Sequence, residues 1–160
     1  MRSVKLPDLR WRALAFDALT AAELYRVLRL RAEVFVVEQT CAFQDLDGLD
    51  QQALHWLGED APDASGESRL LAYTRLLPAG MAFPEASIGR VVTAPATRGS
   101  GLGHALMHTS IAELHRQWGV QPIRIGAQAH LETFYRQHGF VPDGELYVED
   151  GIDHIEMLRP

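Results

Sequence analysis

The chain contains very few residues of two kinds that often carry recognisable chemistry. Among its 160 residues there is one cysteine, Cys41, and one lysine, Lys5. A single cysteine excludes a disulfide within the chain and is typical of a protein in a reducing compartment. Lys5 does not follow a glycine-rich segment and is followed by Leu6, which excludes a phosphate-binding P-loop at this position.

Long hydrophobic runs and an excess of positive charge are also missing. No segment approaches the roughly 20 apolar residues that span a bilayer, and the N-terminal residues lack the apolar core of a secretory signal. Acidic residues outnumber basic residues by 21 to 15, for a net charge of −6, whereas a protein that binds nucleic acid needs a basic surface. We therefore expect a cytoplasmic protein that binds neither membrane nor nucleic acid.

What the chain does contain is typical of one globular domain. Apolar residues make up 47% and charged residues 22% of the composition, and the length predicts a single domain over residues 1–160. Hydrophobic patterning and turn residues predict a mixed order of strands and helices. Strands are expected at 10–16, 53–57, 70–77, 87–94 and 122–127, with one or two more after 140, the last near 152–158.

Short local signals mark the ends of the predicted helices. Thr20 and Glu23 have the spacing of a capping box, which predicts the start of a first helix. A second helix is expected after Gly103 and ends at Gly119, and a short third helix ends at Gly139, because glycine readily forms the left-handed C-terminal cap. This order of elements predicts an α/β (α+β) fold with helices on both faces of a sheet.

Three glycines, Gly99, Gly101 and Gly103, lie between a predicted strand and the second predicted helix. The first amides of a helix have no intrahelical acceptor, the helix dipole is positive there, and glycine lets a ligand approach the backbone. The segment therefore predicts a phosphate or pyrophosphate site, with a tight turn that binds nothing as the alternative. It does not match the dinucleotide-binding pattern, because His104 or Leu106 stands where the third glycine is required.

The glycine segment and a second motif resemble a known family. In RGSGLG, residues 98–103, the spacing Arg-x-x-Gly-x-Gly resembles the acyl-CoA pyrophosphate loop of the GNAT N-acetyltransferases, and the preceding IGRVVTAPAT resembles their fourth strand. Residues 128–140, QAHLETFYRQHGF, resemble the second signature of that superfamily, with Tyr135 at the expected position. Gln128 stands where Asn is usual and Leu131 where Ala is usual.

Two further segments are similar to one branch of this superfamily, the ElaA-like subfamily. These are LRLRAEVFVVEQTCAFQDLDGLD, residues 28–50, and EDGIDHIEM, residues 149–157. Asp153 replaces a proline that is usual in the last segment. Together with the two motifs above, the resemblance extends over most of the chain from residue 28 onward.

The resemblance implies a GNAT-like mixed, mainly antiparallel central sheet of six or seven strands with helices on both faces. It also implies acetyl-CoA as a co-substrate, with no metal. Pantetheine and the thioester would contact the fourth strand and the start of the second signature, and the pyrophosphate would lie on the glycine segment. The residues implied are Val91, Val92, Thr93 and Gln128 for the first part and Arg98, Gly99, Ser100, Gly101, Leu102 and Gly103 for the second.

The implied reaction is transfer of an acetyl group from the CoA thioester to a primary amine. The resemblance gives Tyr135 the role of the acid that protonates the departing thiolate, with a buried core aromatic as the alternative. Glu38 and His130 are the preferred candidates for the base that deprotonates the amine. Other candidates, each with a purely structural alternative, are Glu33, Glu145, Glu149 and His154.

Several alternatives stay open. The same fold could serve as a non-catalytic acyl-CoA sensor, or could transfer a different acyl group, and superfamily members often form homodimers. DLDGLD, residues 45–50, hints at a calcium loop but has its glycine at the fourth position rather than the sixth. His104 and His108 are spaced to share one helix face, yet no third metal ligand is evident and a solvated face is favoured. The acids near 45–50 and 145–150 could line one rim and favour a cationic acceptor.

Overall fold

The computed structural model describes residues 8–160. Its first sheet has four antiparallel strands in the order β1-β2-β3-β4, namely Arg10–Ala15, Leu54–Glu59, Leu70–Leu77 and Ser87–Thr93. In the second sheet β8 (Ile152–Arg159) pairs antiparallel with β5, β6 and β7, which are Ile123–Gln128, Val141–Pro142 and Tyr147–Glu149. The strands predicted up to residue 127 and the last strand are confirmed to within about two residues at each end, whereas three strands rather than one or two follow residue 140.

The expectation of one central sheet of six or seven strands is wrong, because the described strands form two four-stranded sheets. The two sheets meet at an isolated parallel bridge between Ala86 and Ile123, where the Arg124 N–H donates to the Ala86 carbonyl at 2.9 Å. Beyond this bridge β4 and β5 are not paired with each other. Hydrophobic periodicity identifies a strand but not the partner of each edge, so this division could not be read from the pattern.

Helices cover both faces of the first sheet. α1 (Ala21–Arg31) continues directly into a π-helix (Ala32–Glu38), and α2 spans Leu102–Trp118. Alternate residues of β3 point to opposite faces: Tyr73 belongs to the apolar cluster that includes α1, and Leu76 to the cluster that includes α2. The latter cluster also contains residues of the second sheet, so it joins the two sheets through one apolar core.

The predicted helix ends are confirmed by their hydrogen bonds. The Glu23 N–H donates to Thr20 Oγ1 at 3.1 Å, and the Thr20 N–H donates to Glu23 Oε1 at 2.9 Å, which completes the capping box. Gly119, at φ +87°, ends α2, and its N–H donates to the His115 carbonyl at 2.8 Å. α3 (Glu132–Arg136) is short. None of the helices within residues 8–160 is long and apolar enough to cross a membrane.

Candidate active site

A cleft of about 680 Å³ opens where β4 and β5 separate. We call its two main sides the β4 wall, residues 88–93 with the glycine loop 98–103, and the π-helix wall, residues 34–47 with the turn 149–154. β5 contributes Gln128 between them. Nine predicted site residues line the cleft: Glu38, Val91, Val92, Thr93, Arg98, Gly103, Gln128, His130 and Tyr135.

The β4 wall presents backbone rather than side chains. One edge of β4 pairs with β3, with Val92 opposite Tyr73, and the other edge is paired only at the Ala86 bridge. Val92 itself is 3% exposed and its side chain packs in the apolar core, so it can offer a ligand only its peptide groups. Arg90 has a positive φ of +49°, and the register with β3 shifts nearby. The open edge of β4 is therefore a row of peptide donors and acceptors facing the cleft.

The glycine loop leads from β4 into α2. Gly99 and Gly101 have φ values of +81° and +82°, and a side chain at Gly99 would point into open space. The first hydrogen bond into α2 runs from the Ala105 N–H to the Gly101 carbonyl, 3.2 Å. The amides before Ala105 therefore lack intrahelical acceptors, which is the arrangement that favours an anion.

Four predicted ligands of the glycine loop do not line the cleft. Gly99, Ser100 and Gly101 are exposed beside it, so the loop forms a rim of the cleft. Leu102 is 1% exposed and packs in the core, and its N–H donates to Ser100 Oγ at 3.3 Å. The side chain of Leu102 is therefore not placed to meet a ligand.

Arg98 and Glu38, predicted for different roles, form an ion pair with each other. Arg98 Nη1 lies 2.5 Å from Glu38 Oε1, and both side chains are about half exposed. Glu38 is the last residue of the π-helix, while Arg98 begins the glycine loop, so the pair links the two walls. In this arrangement neither side chain is free to act alone.

Tyr135 is buried at the side of the cleft. Its ring packs edge-on against Phe134, with centroids 5.1 Å apart, and against Phe140 at 6.0 Å. Burial raises the pKa of Tyr135 to about 12, so the hydroxyl is protonated at neutral pH. Within residues 8–160 this hydroxyl makes no hydrogen bond, although the residue lines the cleft.

His130 and Gln128 lie at the end of β5. His130 is exposed and lines the cleft, in the short 3₁₀ turn that follows β5. Gln128 Nε2 donates to Gln39 Oε1 at 3.3 Å, so the residue at the usual asparagine position contacts the π-helix wall. Both residues therefore border the cleft at the end of β5.

The π-helix wall contains residues to which the sequence analysis gave no role. Phe35 and Phe43 line the cleft, and Cys41 Sγ donates to the Asp150 carbonyl at 3.1 Å, across 109 positions of sequence. No local signal predicts that the segment near Cys41 meets the turn at Asp150, because that contact exists only in the folded chain.

His154 and Glu149, alternative bases in the sequence analysis, also line the cleft. His154 Nε2 is 3.8 Å from Glu149 Oε2, and its Nδ1 lies 2.7 Å from the Ile152 carbonyl. The His154 ring stacks on Tyr147 with centroids 5.6 Å apart. His154 is therefore held in place by contacts within the second sheet.

The hypothesis of a single acidic rim is wrong for its first half. A network of three arginines and three aspartates neutralises that segment; its members are Arg31, Asp45, Asp47, Asp50, Arg75 and Arg90. Arg31, with no exposed surface, places Nε 3.0 Å from Asp45 Oδ2 and Nη1 2.8 Å from Asp50 Oδ1. The segment is thus an anchor for the π-helix wall rather than a cation-binding surface.

The charges of the network set the ionisation of its aspartates. Burial by itself would raise the pKa of Asp47, but hydrogen bonds from Arg75 and the Leu49 N–H, with the charge of Arg75, outweigh it and lower the pKa to about 2. Burial also opposes ionisation of Asp50, yet Arg31 and Arg75 hold its pKa below the ordinary value. Both carboxylates are therefore ionised and paired at neutral pH.

The two segments considered for metal binding, residues 45–50 and the His104–His108 pair, make other contacts in the structure. Asp45, Asp47 and Asp50 contact arginines, as described above, which leaves no calcium loop at 45–50. His104 is paired with His138 rather than with His108, since His104 Nδ1 lies 2.9 Å from His138 Nε2. Among residues 8–160, no group of three or more potential ligands is arranged to hold a metal ion.

The chain matches a known protein family over more than half of its length. The family described as Acetyltransferase (GNAT) domain matches residues 58–159. The chain is also 38% identical to protein ElaA of Escherichia coli over 156 residues, which cover 94% of this chain and 96% of that protein.

This chain belongs to the GNAT acetyltransferase family. Enzymes of this family use acyl-CoA as a co-substrate, and the open edge of β4 with its glycine loop fits the peptide-like pantetheine and the pyrophosphate of such a ligand.

Solved GNAT structures share the fold over nearly the whole chain. A crystal structure of an acyl-CoA N-acyltransferase from Pseudomonas aeruginosa has a TM-score of 0.83 at 42% identity, covering 94% of this chain and 99% of that one. The crystal structure of Escherichia coli ElaA also has a TM-score of 0.83, at 39% identity, covering 95% and 99%. The GNAT fold of this chain is therefore shown by sequence and by shape together.

Proposed function

We propose that this protein is an acetyl-CoA-dependent N-acetyltransferase that moves the acetyl group to a primary amine by direct attack on the thioester. The observation that carries the proposal is the position of Tyr135. The residue is buried, its protonated hydroxyl has no hydrogen-bond partner among the described residues, and it borders the same cleft as the open edge of β4 and Arg98 of the glycine loop. A protein that only binds acyl-CoA has no need of an unpartnered acid at this place.

The donor lies with its pyrophosphate on the loop and its pantetheine along β4. The peptide groups of Val91, Val92 and Thr93 pair with the pantetheine amides, and those of Gly99, Ser100, Gly101, Leu102 and Gly103 contact the phosphates. Arg98 adds a charged hydrogen bond to a phosphate oxygen. Gln128, on β5, approaches the pantetheine from the other side of the cleft.

The transfer itself needs an oxyanion donor, an acid and a base. The amine nitrogen attacks the thioester carbon, and an N–H at Val92 or Thr93 stabilises the oxyanion. When the C–S bond breaks, the sulfur takes the proton of Tyr135, and the second proton that the nitrogen loses on becoming an amide restores the tyrosine, directly or through water. A thiol has a pKa of about 8.5 in water, and burial raises the pKa of a sulfur in the cleft, so the departing thiolate accepts a proton more readily there than in water.

The base must take one proton from an amine that is mostly protonated at neutral pH. Glu38 is paired with Arg98 in the absence of donor. A donor phosphate competes for Arg98 and leaves Glu38 to accept the amine proton, directly or through water. His130, exposed at the end of β5, is the other candidate.

The function is tested by turnover with a panel of amines. The purified protein is incubated with acetyl-CoA and each amine, and both products are followed by mass spectrometry, because the thiol of Cys41 adds background to thiol reagents. We expect sustained CoA release and an acetylated product only when an amine is present. Donor binding without turnover on any amine would instead identify a sensor, and preferred turnover of succinyl-CoA or a longer acyl-CoA would change the donor.

A further inference from the structure

A second groove, of about 430 Å³, runs beside α2. Its ionisable lining residues are His108 and His115 of α2, His138 after α3, and Arg159 of β8. No carboxylate of the described chain lines this groove, although the protein has a net charge of −6. A groove of this size and charge suits an anionic ligand about as large as a nucleotide.

Three aromatic rings connect this groove to the cleft. Phe134 lines the cleft, and its centroid is 4.8 Å from that of His104 and 5.2 Å from that of His138. His104 directly follows Gly103 on α2, and His138 lines the groove. The path from the glycine loop to the groove therefore passes over the His104–His138 pair.

We propose that His104 and His138 together bind the 3′-phosphate of the CoA donor, and that the adenosine lies at the near end of the groove. This rests on the proposed function. With the thioester at Tyr135 and the pyrophosphate on the glycine loop, the remaining nucleotide must leave the cleft on the side away from Tyr135. His104 is the first side chain of α2 that it meets beyond Gly103.

The pair has the chemistry to recognise a phosphate in a pH-dependent way. His104 Nδ1 and His138 Nε2 are 2.9 Å apart, so a proton must lie between them, and a further proton makes the pair cationic. A phosphate monoester is mostly a dianion above about pH 6 and favours that cationic form. Phosphate binding is therefore coupled to uptake of a proton.

The surroundings of His138 disfavour its protonated form. Burial lowers the pKa of His138, and the nearby His104, His108 and Arg159 lower it further, with no carboxylate opposing them. On α3 the charges of Arg136 and Glu132 are paired with each other at 2.9 Å. A bound phosphate stabilises the protonated form of His138 and raises its pKa, so affinity for the 3′-phosphate increases as the pH falls.

The test compares CoA with 3′-dephospho-CoA by isothermal titration calorimetry at pH 6.5 and 8.5. We expect CoA to bind about tenfold more tightly than 3′-dephospho-CoA at pH 6.5, and about twofold more tightly at pH 8.5. This difference is the size expected for one charge-assisted hydrogen bond to the 3′-phosphate. Titrations in two buffers of different ionisation enthalpy should show proton uptake with CoA and none with dephospho-CoA. His138→Gln and His104→Gln, which keep a hydrogen-bonding group but cannot become cationic, should each reduce the preference to about twofold at both pH values.

The matched control is Arg116→Gln, which removes a positive charge from the exposed far end of α2, outside the groove. It should leave the pH-dependent preference unchanged. The proposal is overturned if CoA binds but both histidine variants keep the parent's preference for CoA over 3′-dephospho-CoA. It is also overturned if Arg116→Gln reduces that preference as much as the histidine variants do. In both cases the proposed function stands. If neither nucleotide binds, the proposed function fails, and this proposal fails with it.

Discussion

The two walls of the cleft are built in different ways. The β4 wall offers peptide groups of one continuous segment, residues 88–103, whose shape follows from a strand, a tight turn and a helix start. The π-helix wall offers side chains from segments far apart in sequence, joined at Cys41 and Asp150. A wall of peptide groups tolerates many side chains but few backbone changes, whereas a wall of side chains depends on whatever holds its segments together.

That support is the buried arginine–aspartate network. It contacts residues 45–50 on one side and β3 and β4, through Arg75 and Arg90, on the other. The glycine loop of the β4 wall lies outside this network and is held by short-range bonds such as Thr97 Oγ1 to the Ala94 carbonyl at 2.6 Å. Substitutions in the network should therefore affect stability first, and substitutions in the loop should affect ligand binding first.

The largest effect is expected for Arg31→Ala. Removing this fully buried guanidinium leaves Asp45 with only Arg90 and Asp50 with only Arg75, and breaking a buried pair in this way costs about 3–5 kcal/mol of unfolding free energy. Urea unfolding followed by circular dichroism measures the loss. Arg116→Ala is the control, because Arg116 is exposed and its buried partner Glu113 keeps a hydrogen bond from Gln117 Nε2, so the loss should be at most about 1 kcal/mol. Equal losses in the two variants would show that the network does not support the π-helix wall.

Gly101→Glu should abolish donor binding while the protein stays folded. A carboxylate on the loop meets the donor phosphates, and we expect acetyl-CoA affinity to fall at least about 100-fold, or about 3 kcal/mol. Gly80→Glu separates charge from backbone strain, because Gly80 also has a positive φ, +87°, and open space for a side chain. Calorimetric affinities for both variants provide the measurement. Unchanged affinity in Gly101→Glu would remove the loop from the donor site.

Tyr135→Phe should separate the effect on the chemical step from the effect on donor binding. The hydroxyl has no hydrogen bond within the described chain, so its loss should barely change stability or donor affinity, while kcat falls about 10- to 100-fold. Steady-state kinetics with an accepted amine and calorimetry with CoA measure the two quantities. Tyr25→Phe, at a 72% exposed position on α1, is the control. An unaltered kcat would leave Tyr135 as a core aromatic.

The smallest effect is expected for Glu38→Gln, at the contact between the walls. Glu38 and a donor phosphate compete for Arg98, so removing the carboxylate charge should tighten CoA binding about two- to fivefold, the range expected for a half-exposed pair. As the base, Glu38 should at the same time support turnover, so kcat should fall. Glu33→Gln, exposed on the same π-helix and outside the cleft, should change neither quantity. Weaker CoA binding in Glu38→Gln would contradict the competition.

Much of the local structure could be predicted from the sequence. The capping box at Thr20, the helix end at Gly119 and the strands up to β5 are confirmed, because each depends on neighbouring residues. The number of strands per sheet was wrong. The separation of β4 from β5 depends on which strand edges pair. The alternation of apolar residues predicts a strand but not its neighbour in the sheet.

The candidate site, too, could be predicted from the sequence only in part. The glycine loop is a contiguous motif, and the structure places it at the rim of a cleft. Phe35, Phe43 and the Cys41–Asp150 contact had no local signal. The pairing of Glu38 with Arg98 was also not foreseen, since sixty positions separate them and each had been considered only for its own role.

By itself the sequence determined the family, the order of the elements and the loop at the start of α2, because a turn and a helix start are specified by residues a few positions apart. Only the tertiary structure decided that the sheets separate at β5, that the aspartates of 45–50 are neutralised by arginines, and that His104 reaches His138. These contacts join residues far apart in the chain, and their geometry depends on how every intervening element packs.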